Sequence, residues 1–469
     1  MNELHSKGAA ELAGMIAGGE VTSTDVIEAH LARIEEVNPD LNAVTVTLAD
    51  QARAAAADVD RAVAAGEPLG RLAGVPFTIK ENIDVAGSAT TWGVSVLADQ
   101  VASEDAPVVA RLREAGAIPL ARTNLPDFAF RWHTESGRAG QTLNPWDPTR
   151  TPGGSSGGEA VALATGMSPL GLGNDFGGSL RVPSQMCGTA ALRPTQGRVA
   201  DAAVTGPAAP LWIQLFNSQG PMARRVADLR LALGVLSGPD ARDPRWVPAP
   251  LEGPGIVGPV RVAVVRDPLG AGIDPHVRAG IDRAADWLAD AGYEVVDAEP
   301  PQIAEAVAVW VDLIGADFAE TWPHMEPVAG EGLLGFVGRL VETGVVGPVD
   351  RAQEREAWIA RHRIGAAWAA FSKEHPVTLA PVSCERPWLV GDDIGRVGEV
   401  ATAMRMVVPL NPLGLPACAV PVGADEGLPQ GVQLIGARFR EDLVLDAAQA
   451  IEDRAPALTP IQPRVAVTA

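Results

Sequence analysis

Between Thr151 and Pro183 the chain reads TPGGSSGGEAVALATGMSPLGLGNDFGGSLRVP. Two glycine-serine turns flank an apolar run, and each turn is predicted to open a short helix. Glycine tolerates positive φ and lets backbones approach closely, so loops of this kind can aim several N–H groups at one point. A helix N-terminus adds free N–H groups and the positive end of a dipole. This is suitable equipment for holding an oxyanion as it develops. Ser155, Ser156 and Ser179 supply hydroxyls in the same turns. Two plainer readings compete. Gly/Ser-rich segments are commonly flexible linkers, but Ala160, Val161, Leu163, Leu170 and Leu172 make the intervening segment core-like. Serine before a helix is commonly an N-cap, and that alone would account for Ser155 or Ser156.

Lysine usage sharpens the choice. The chain has only Lys7, Lys80 and Lys373; every other basic side chain is arginine. Lys7 and Lys373 sit among polar residues, whereas Lys80 ends an apolar, strand-like run in GVPFTIKENIDVAG. Arginine does not give up its proton in a protein, whereas a desolvated lysine can. A base built on an amine therefore has to be lysine. The competing reading is a lysine ion-paired with Glu81 or Asp84.

The stretches GVPFTIKENIDVAG (74–87), GGSSGG (153–158), GNDFGGSLRVPS (173–184), LRPTQGRV (192–199), GPMARRVADL (220–229) and NPLGLPACAVPVG with GLPQGVQLIGARF (411–439) occur in one order along the chain. In these stretches the sequence resembles the amidase signature family of serine hydrolases. The resemblance implies a triad without histidine: a nucleophilic serine, a second serine on a cis peptide bond, and a lysine. Carried over by motif, these are Ser179, Ser155 and Lys80, with the family's spacing favouring Ser155 over Ser156. It also implies an oxyanion hole of backbone N–H groups at Phe176, Gly177, Gly178 and Ser179. Asp175 and Arg181, together with Ser156, are implied to support the nucleophile's turn from behind. Departures from the pattern are Asn174 where threonine is usual, Ala191 for glycine, Arg193 for lysine and Gln196 for tyrosine or proline.

The chemistry of such a unit is consistent. Serine is a poor nucleophile until a base takes its proton. Lysine must fall from about 10.4 by several units to serve near neutral pH, and burial does this. Ser155 would relay the proton between Ser179 and Lys80 and return it to the leaving amine.

Hydrophobic residues make up 47% of the 469, ample for a large core, and the net charge of −21 argues against nucleic acid as a ligand. Cys187, Cys384 and Cys418 are too few and scattered for a disulfide framework or zinc site. No metal and no cofactor are expected. Met1 to Gly19 does not read as a signal peptide, no apolar run approaches the ~20 residues of a membrane helix, and a cytoplasmic location is expected.

Residues 1–70 read as a helical region, with Ile27, Leu31 and Ile34 on one face behind caps at Ser23 to Asp25, and a second helix from Ala49 to Ala65. Strands are predicted at 74–79, 117–121, 260–266, 293–298, 377–381, 417–422 and 431–436. Helices are predicted at 106–115, 221–236, 274–291 and 441–453, with 301–370 helix-rich and variable in relatives. RTNLPDFAFRWHTE (122–135) resembles a segment that borders the substrate pocket in relatives, which makes Phe128, Phe130, Trp132 and His133 candidate walls. A Ser-His site would have to use His133, for which no acidic orienter is indicated.

The resemblance implies one compact domain over 1–469, an α/β/α sandwich with a large mixed β-sheet covered by helices, and 74–199 as its signature core. Strand-helix alternation agrees with this. The implied activity is hydrolysis of a small carboxylic amide, of aryl or other apolar acyl type, or an ester, to acid and amine through an acyl-enzyme on Ser179. The resemblance admits a homodimer, since several relatives use the N-terminal region for packing or dimer contacts, and the sequence leaves the oligomeric state open. The alternatives are the glutaminase subunit of a tRNA-dependent amidotransferase, an acyl-transfer tailoring enzyme, and a non-catalytic binding protein.

Overall fold

The computed structural model describes residues 3–205 and 209–464. Eleven of its thirteen strands form one mixed sheet. In chain order the strands are β1 (Val44–Thr47), β2 (Pro76–Lys80), β3 (Ile118–Thr123), β4 (Glu135–Ser136), β5 (Gly140–Gln141), β6 (Leu170–Asp175) and β7 (Ala190–Arg193). They continue with β8 (Ser218–Ala223), β9 (Arg261–Val264), β10 (Glu294–Asp297), β11 (Val377–Ala380), β12 (Ala417–Asp425) and β13 (Leu428–Gly436). The sheet order is β1-β3-β2-β6-β8-β7-β12-β13-β11-β9-β10, and β4 and β5 make a separate hairpin. β2 runs parallel to β3 and β6, while β6, β8, β7, β12 and β13 alternate in direction.

Helices cover both faces, and strand alternation decides what each face carries. Phe77 and Ile79 of β2, with Leu170 and Leu172 of β6, join the apolar cluster that includes Val108, Leu112, Leu229 and Leu445. Thr78 points to the other face, where the helix Gly157–Ala164 lies. Lys80 shares the parity of Thr78. Thr78 is paired with Gly171 on β6, and a Cβ at Gly171 would run into the Glu159 side chain of that helix. The glycine therefore allows the helix to lie close on the strands.

The structure departs from the sequence reading in three places. The region read as helical over 1–70 contains β1, an edge strand antiparallel to β3. The predicted helix 221–236 begins only at Val226, because Ser218–Ala223 is a buried strand between β6 and β7. The segment that ends at Asp175 is a fully buried strand, β6, which was not among the strands read from the sequence. Among the described residues, no helix is long and apolar enough to cross a membrane.

Candidate active site

Lys80 is the last residue of β2 and Asp175 the last of the neighbouring β6, so both face out from one end of the sheet. The turn Phe176–Leu180 then leads into the helix Arg181–Cys187, while Ser155 and Ser156 precede the helix Gly157–Ala164. Lys80 Nζ donates to Ser155 Oγ at 2.7 Å, and the Ser155 hydroxyl donates to Ser179 Oγ at 2.9 Å. Lys80 also donates to Asn174 Oδ1 at 2.9 Å. Burial pushes the lysine down to about 7, against the upward pull of Asp175 and Glu159. Ser179 is 4% exposed, at the wall of a cavity. The Gly154–Ser155 peptide bond is cis.

The turn before Ser179 is held by a buried carboxylate. Asp175 accepts from the N–H groups of Gly178 (2.9 Å) and Leu180 (3.2 Å), from Arg181 Nε and Nη2 (2.9 and 3.0 Å) and from Asn411 Nδ2 (2.9 Å). Burial alone would raise its pKa; Arg181, Arg193 and Asn411 reverse this and hold it well below the usual carboxylate range. Arg181 also reaches the Val407 carbonyl and Gln433 Oε1, both at 3.0 Å. Asn411, Gln433 and Arg193 thus belong to the site's support. Asn411 lies in the NPLGLP stretch and Arg193 in LRPT, so the motifs contained them without stating their task.

One of the N–H groups expected to hold an oxyanion is engaged elsewhere. The Gly178 N–H is committed to Asp175 Oδ1, while those of Gly177 and Ser179 donate to no acceptor among the described residues. Ser156 occupies the N-cap position of its helix without a side-chain cap bond, and its hydroxyl meets no partner among the described residues. Its N–H donates to the Ser179 carbonyl at 3.3 Å.

The cavity beside Ser179 measures about 410 Å³. Phe130, Trp132, Phe176, Trp310, Ile314 and Phe336 dominate its wall. Trp132 and Trp310 donate their Nε1–H groups to the carbonyls of Gly177 and Phe176, at 2.9 and 3.0 Å. The helices Ile303–Met325 and Glu331–Glu342 supply the far side. Of the four wall residues read from sequence, Phe130 and Trp132 line the cavity and the other two do not. Phe128 lies against a separate small cavity beside Asn82 and Asn174. His133 is buried with Nδ1 2.9 Å from Thr151 Oγ1, is pushed down to about 4 by burial, and does not line the cavity beside Ser179. Both belong to the segment that carries Trp132, where residues Ala129 to Trp132 line the cavity and Phe128 and His133, on either side of them, do not.

Glu159 was missed altogether. It is a carboxyl in the apolar run GGEAVALATG, buried against Thr78 and 2.7 Å from Thr123 Oγ1. Burial pushes it up to about 7, against its hydrogen bonds to Thr78 and Thr123 and the charge of Lys80. An acid inside a helical apolar run was the available signal.

A mixed sheet with a Lys-Ser-Ser chain at the end of its parallel strands defines an amide-cleaving serine hydrolase. The Amidase family profile matches residues 25–445, and the chain belongs to that family. An indoleacetamide hydrolase of Bradyrhizobium diazoefficiens is 43% identical over 96% of this chain and 87% of its own length. A glutamyl-tRNA(Gln) amidotransferase subunit of Synechococcus sp. is 33% identical over 94% of both chains. The structure of a 6-aminohexanoate cyclic dimer hydrolase superposes with a TM-score of 0.83 at 26% identity, covering 98% of this chain and 99% of the other. The protein is an enzyme that hydrolyses small amides.

Proposed function

We propose that the substrate is a neutral arylacetamide of the indoleacetamide type, cleaved to the acid and ammonia through an acyl-enzyme on Ser179. The observation that carries the mechanism is the continuous Lys80–Ser155–Ser179 chain, with links of 2.7 and 2.9 Å. With Lys80 neutral, the hydroxyls turn so that Ser179 donates to Ser155 and Ser155 donates to the amine. Ser179 Oγ attacks the amide carbon as its proton passes through Ser155 to Lys80. The Gly177 and Ser179 N–H groups receive the oxyanion, where one such donor is typically worth ~10²–10³ in rate. The proton returns through Ser155 to the leaving nitrogen, the C–N bond breaks and ammonia departs. Water then attacks the ester along the same proton path, releasing the acid and restoring Ser179.

The aromatic cavity supports the acyl specificity, and its volume falls within the roughly 300–1,000 Å³ usual for small-molecule sites. Glutaminase activity, favoured by the amidotransferase relatives, needs a free cation for the substrate α-carboxylate. Both arginines at the cavity wall are engaged. Arg131 forks onto Asp393 at 2.9 and 3.1 Å and meets Glu135 at 2.9 Å. Arg405 donates to the carbonyls of Pro268 (2.8 Å), Thr402 (3.0 Å) and Gly272 (2.6 Å). The test is ammonia release from indoleacetamide and from glutamine, with wild type and Ser179→Ala. Indoleacetamide turnover that falls at least ~10³-fold in Ser179→Ala is expected, with glutamine inert. Preferential turnover of glutamine would overturn the substrate assignment.

A further inference from the structure

Beside the proton relay stands a pair of carboxamides. Asn174, which accepts from Lys80 at 2.9 Å, donates its Nδ2 to Asn82 Oδ1 at 3.1 Å, and Asn82 Nδ2 returns to Asn174 Oδ1 at 3.4 Å. Asn82 follows Lys80 by two residues past the end of β2, and Asn174 is the penultimate residue of β6. Both are buried. The reciprocal pairing ties the orientation of Asn174 to that of Asn82: turning Asn174 alone would set like against like in both bonds and would replace the acceptor facing Nζ by a donor.

A neutral amine has two N–H groups and one lone pair, and nothing in the lysine stem decides which of the three points at Ser155. We propose that Asn174, clasped by Asn82, is a positioning residue that anchors one Lys80 N–H and so turns the amine's lone pair toward the Ser155 hydroxyl. The inference rests on the reading of Lys80 as the base. A carboxamide does this without adding charge. The carboxylates whose charge bears on Lys80 are Asp175, from the end of β6, and Glu159, from the helix Gly157–Ala164; both favour the ammonium, and burial prevails over them. A third carboxylate at position 174 would tip this balance toward the charged form, and an apolar residue would tip it the other way.

The experiment is the rate of Ser179 labelling by a fluorophosphonate as a function of pH, which needs no amide substrate. Labelling rises with pH as Lys80 loses its proton, so the midpoint of the rise reports the lysine. Asn174→Asp is expected to move the midpoint up by about one pH unit or more. Asn174→Leu is expected to move it down and to lower the plateau rate about tenfold, since the amine is no longer oriented. Midpoints that stay at the wild-type value in both, or move the same way, overturn the proposal. Should the Asn174 variants not fold, Asn82→Ala decides: a reduced plateau supports the clasp, and a wild-type plateau overturns it. Wild-type protein that does not label, or labels equally well as Lys80→Ala, would refute the base assignment itself. Normal Lys80-dependent labelling with unmoved variants would refute only the role of Asn174.

Discussion

Lys80 can be a base only because it is buried, and burying an amine has consequences for activity and stability alike. The fall to about 7 places the acid limb of kcat/KM near neutrality, with activity rising as pH increases through that value. Lys80→Arg, which keeps the charge and cannot release it, is expected to be as inactive as Lys80→Ala; turnover within tenfold of wild type would exclude the amine as base. The same burial carries a stability cost. Between about 7 and 10.4 the unfolded chain binds a proton at this lysine that the folded chain does not, so the contribution to stability rises with pH across that window. Lys80→Met should therefore melt at a higher temperature than wild type below pH 7, and calorimetry should show the advantage shrinking toward pH 10. A difference that does not depend on pH would refute the depressed lysine. At this scale the sequence was informative. Lys80, Ser155 and Ser179 were singled out from residue type and motif, and the fold brings them into one hydrogen-bonded chain. Phe128 and His133 were misplaced because only the folded backbone decides which aromatic side chains of 122–135 turn inward.

The turn Phe176–Leu180 owes its shape to its neighbours. Asp175 ends one strand, Arg181 begins the next helix, and their ion pair is wholly buried. Removing one partner of such a pair typically costs about 3–5 kcal/mol, because the other charge is left uncompensated. Arg181→Met is thus expected to lose stability on that scale in urea titration and to lose activity with it. Arg181→Lys should not restore either, since one ammonium cannot replace a fork that reaches Asp175, Gln433 and Asn411; an active Arg181→Lys would contradict this. The glycine-serine turn is equally constrained. A Cβ at residue 154 would stand 2.6 Å from the Arg131 carbonyl oxygen and 2.8 Å from His133 N, backbone atoms that cannot yield easily. β6 and β8 were not read from sequence for a related reason. LGLGND and SQGPMA have little intrinsic strand character. Their glycines meet close packing, since a Cβ at Gly220 would stand 2.6 Å from the Leu180 side chain, and their strand conformation comes from pairing with each other.

Across the whole molecule, distant segments close one site. The cavity wall draws on residues 129–132, 176–179, 304–346 and 398–408, and the nucleophile's turn is held by Asn411 and Gln433, over 200 residues away. The first helices are part of this body. Arg33 is buried and donates to the carbonyls of Thr165 (2.7 Å) and Ile461 (3.2 Å), and β1 caps the edge of the sheet beside β3. Deletion of residues 1–42 should expose the apolar surface under Ile27, Leu31 and Ile34. It is expected to give aggregated protein without a cooperative melt; a deletion variant that melts like wild type would show this region to be dispensable. The amino-acid order alone supplied the candidate reacting groups, the turns that present them and the family to which the chain belongs. These depend on residue type and local backbone freedom, which are written into short motifs. The sheet order, the pairing of β6 with β8, the neutrality of Lys80 and the inward aromatics of the acyl cavity were decided by tertiary structure. Each depends on what lies opposite in space, and strand pairing, desolvation and cavity shape are properties of packed neighbours that no single stretch contains.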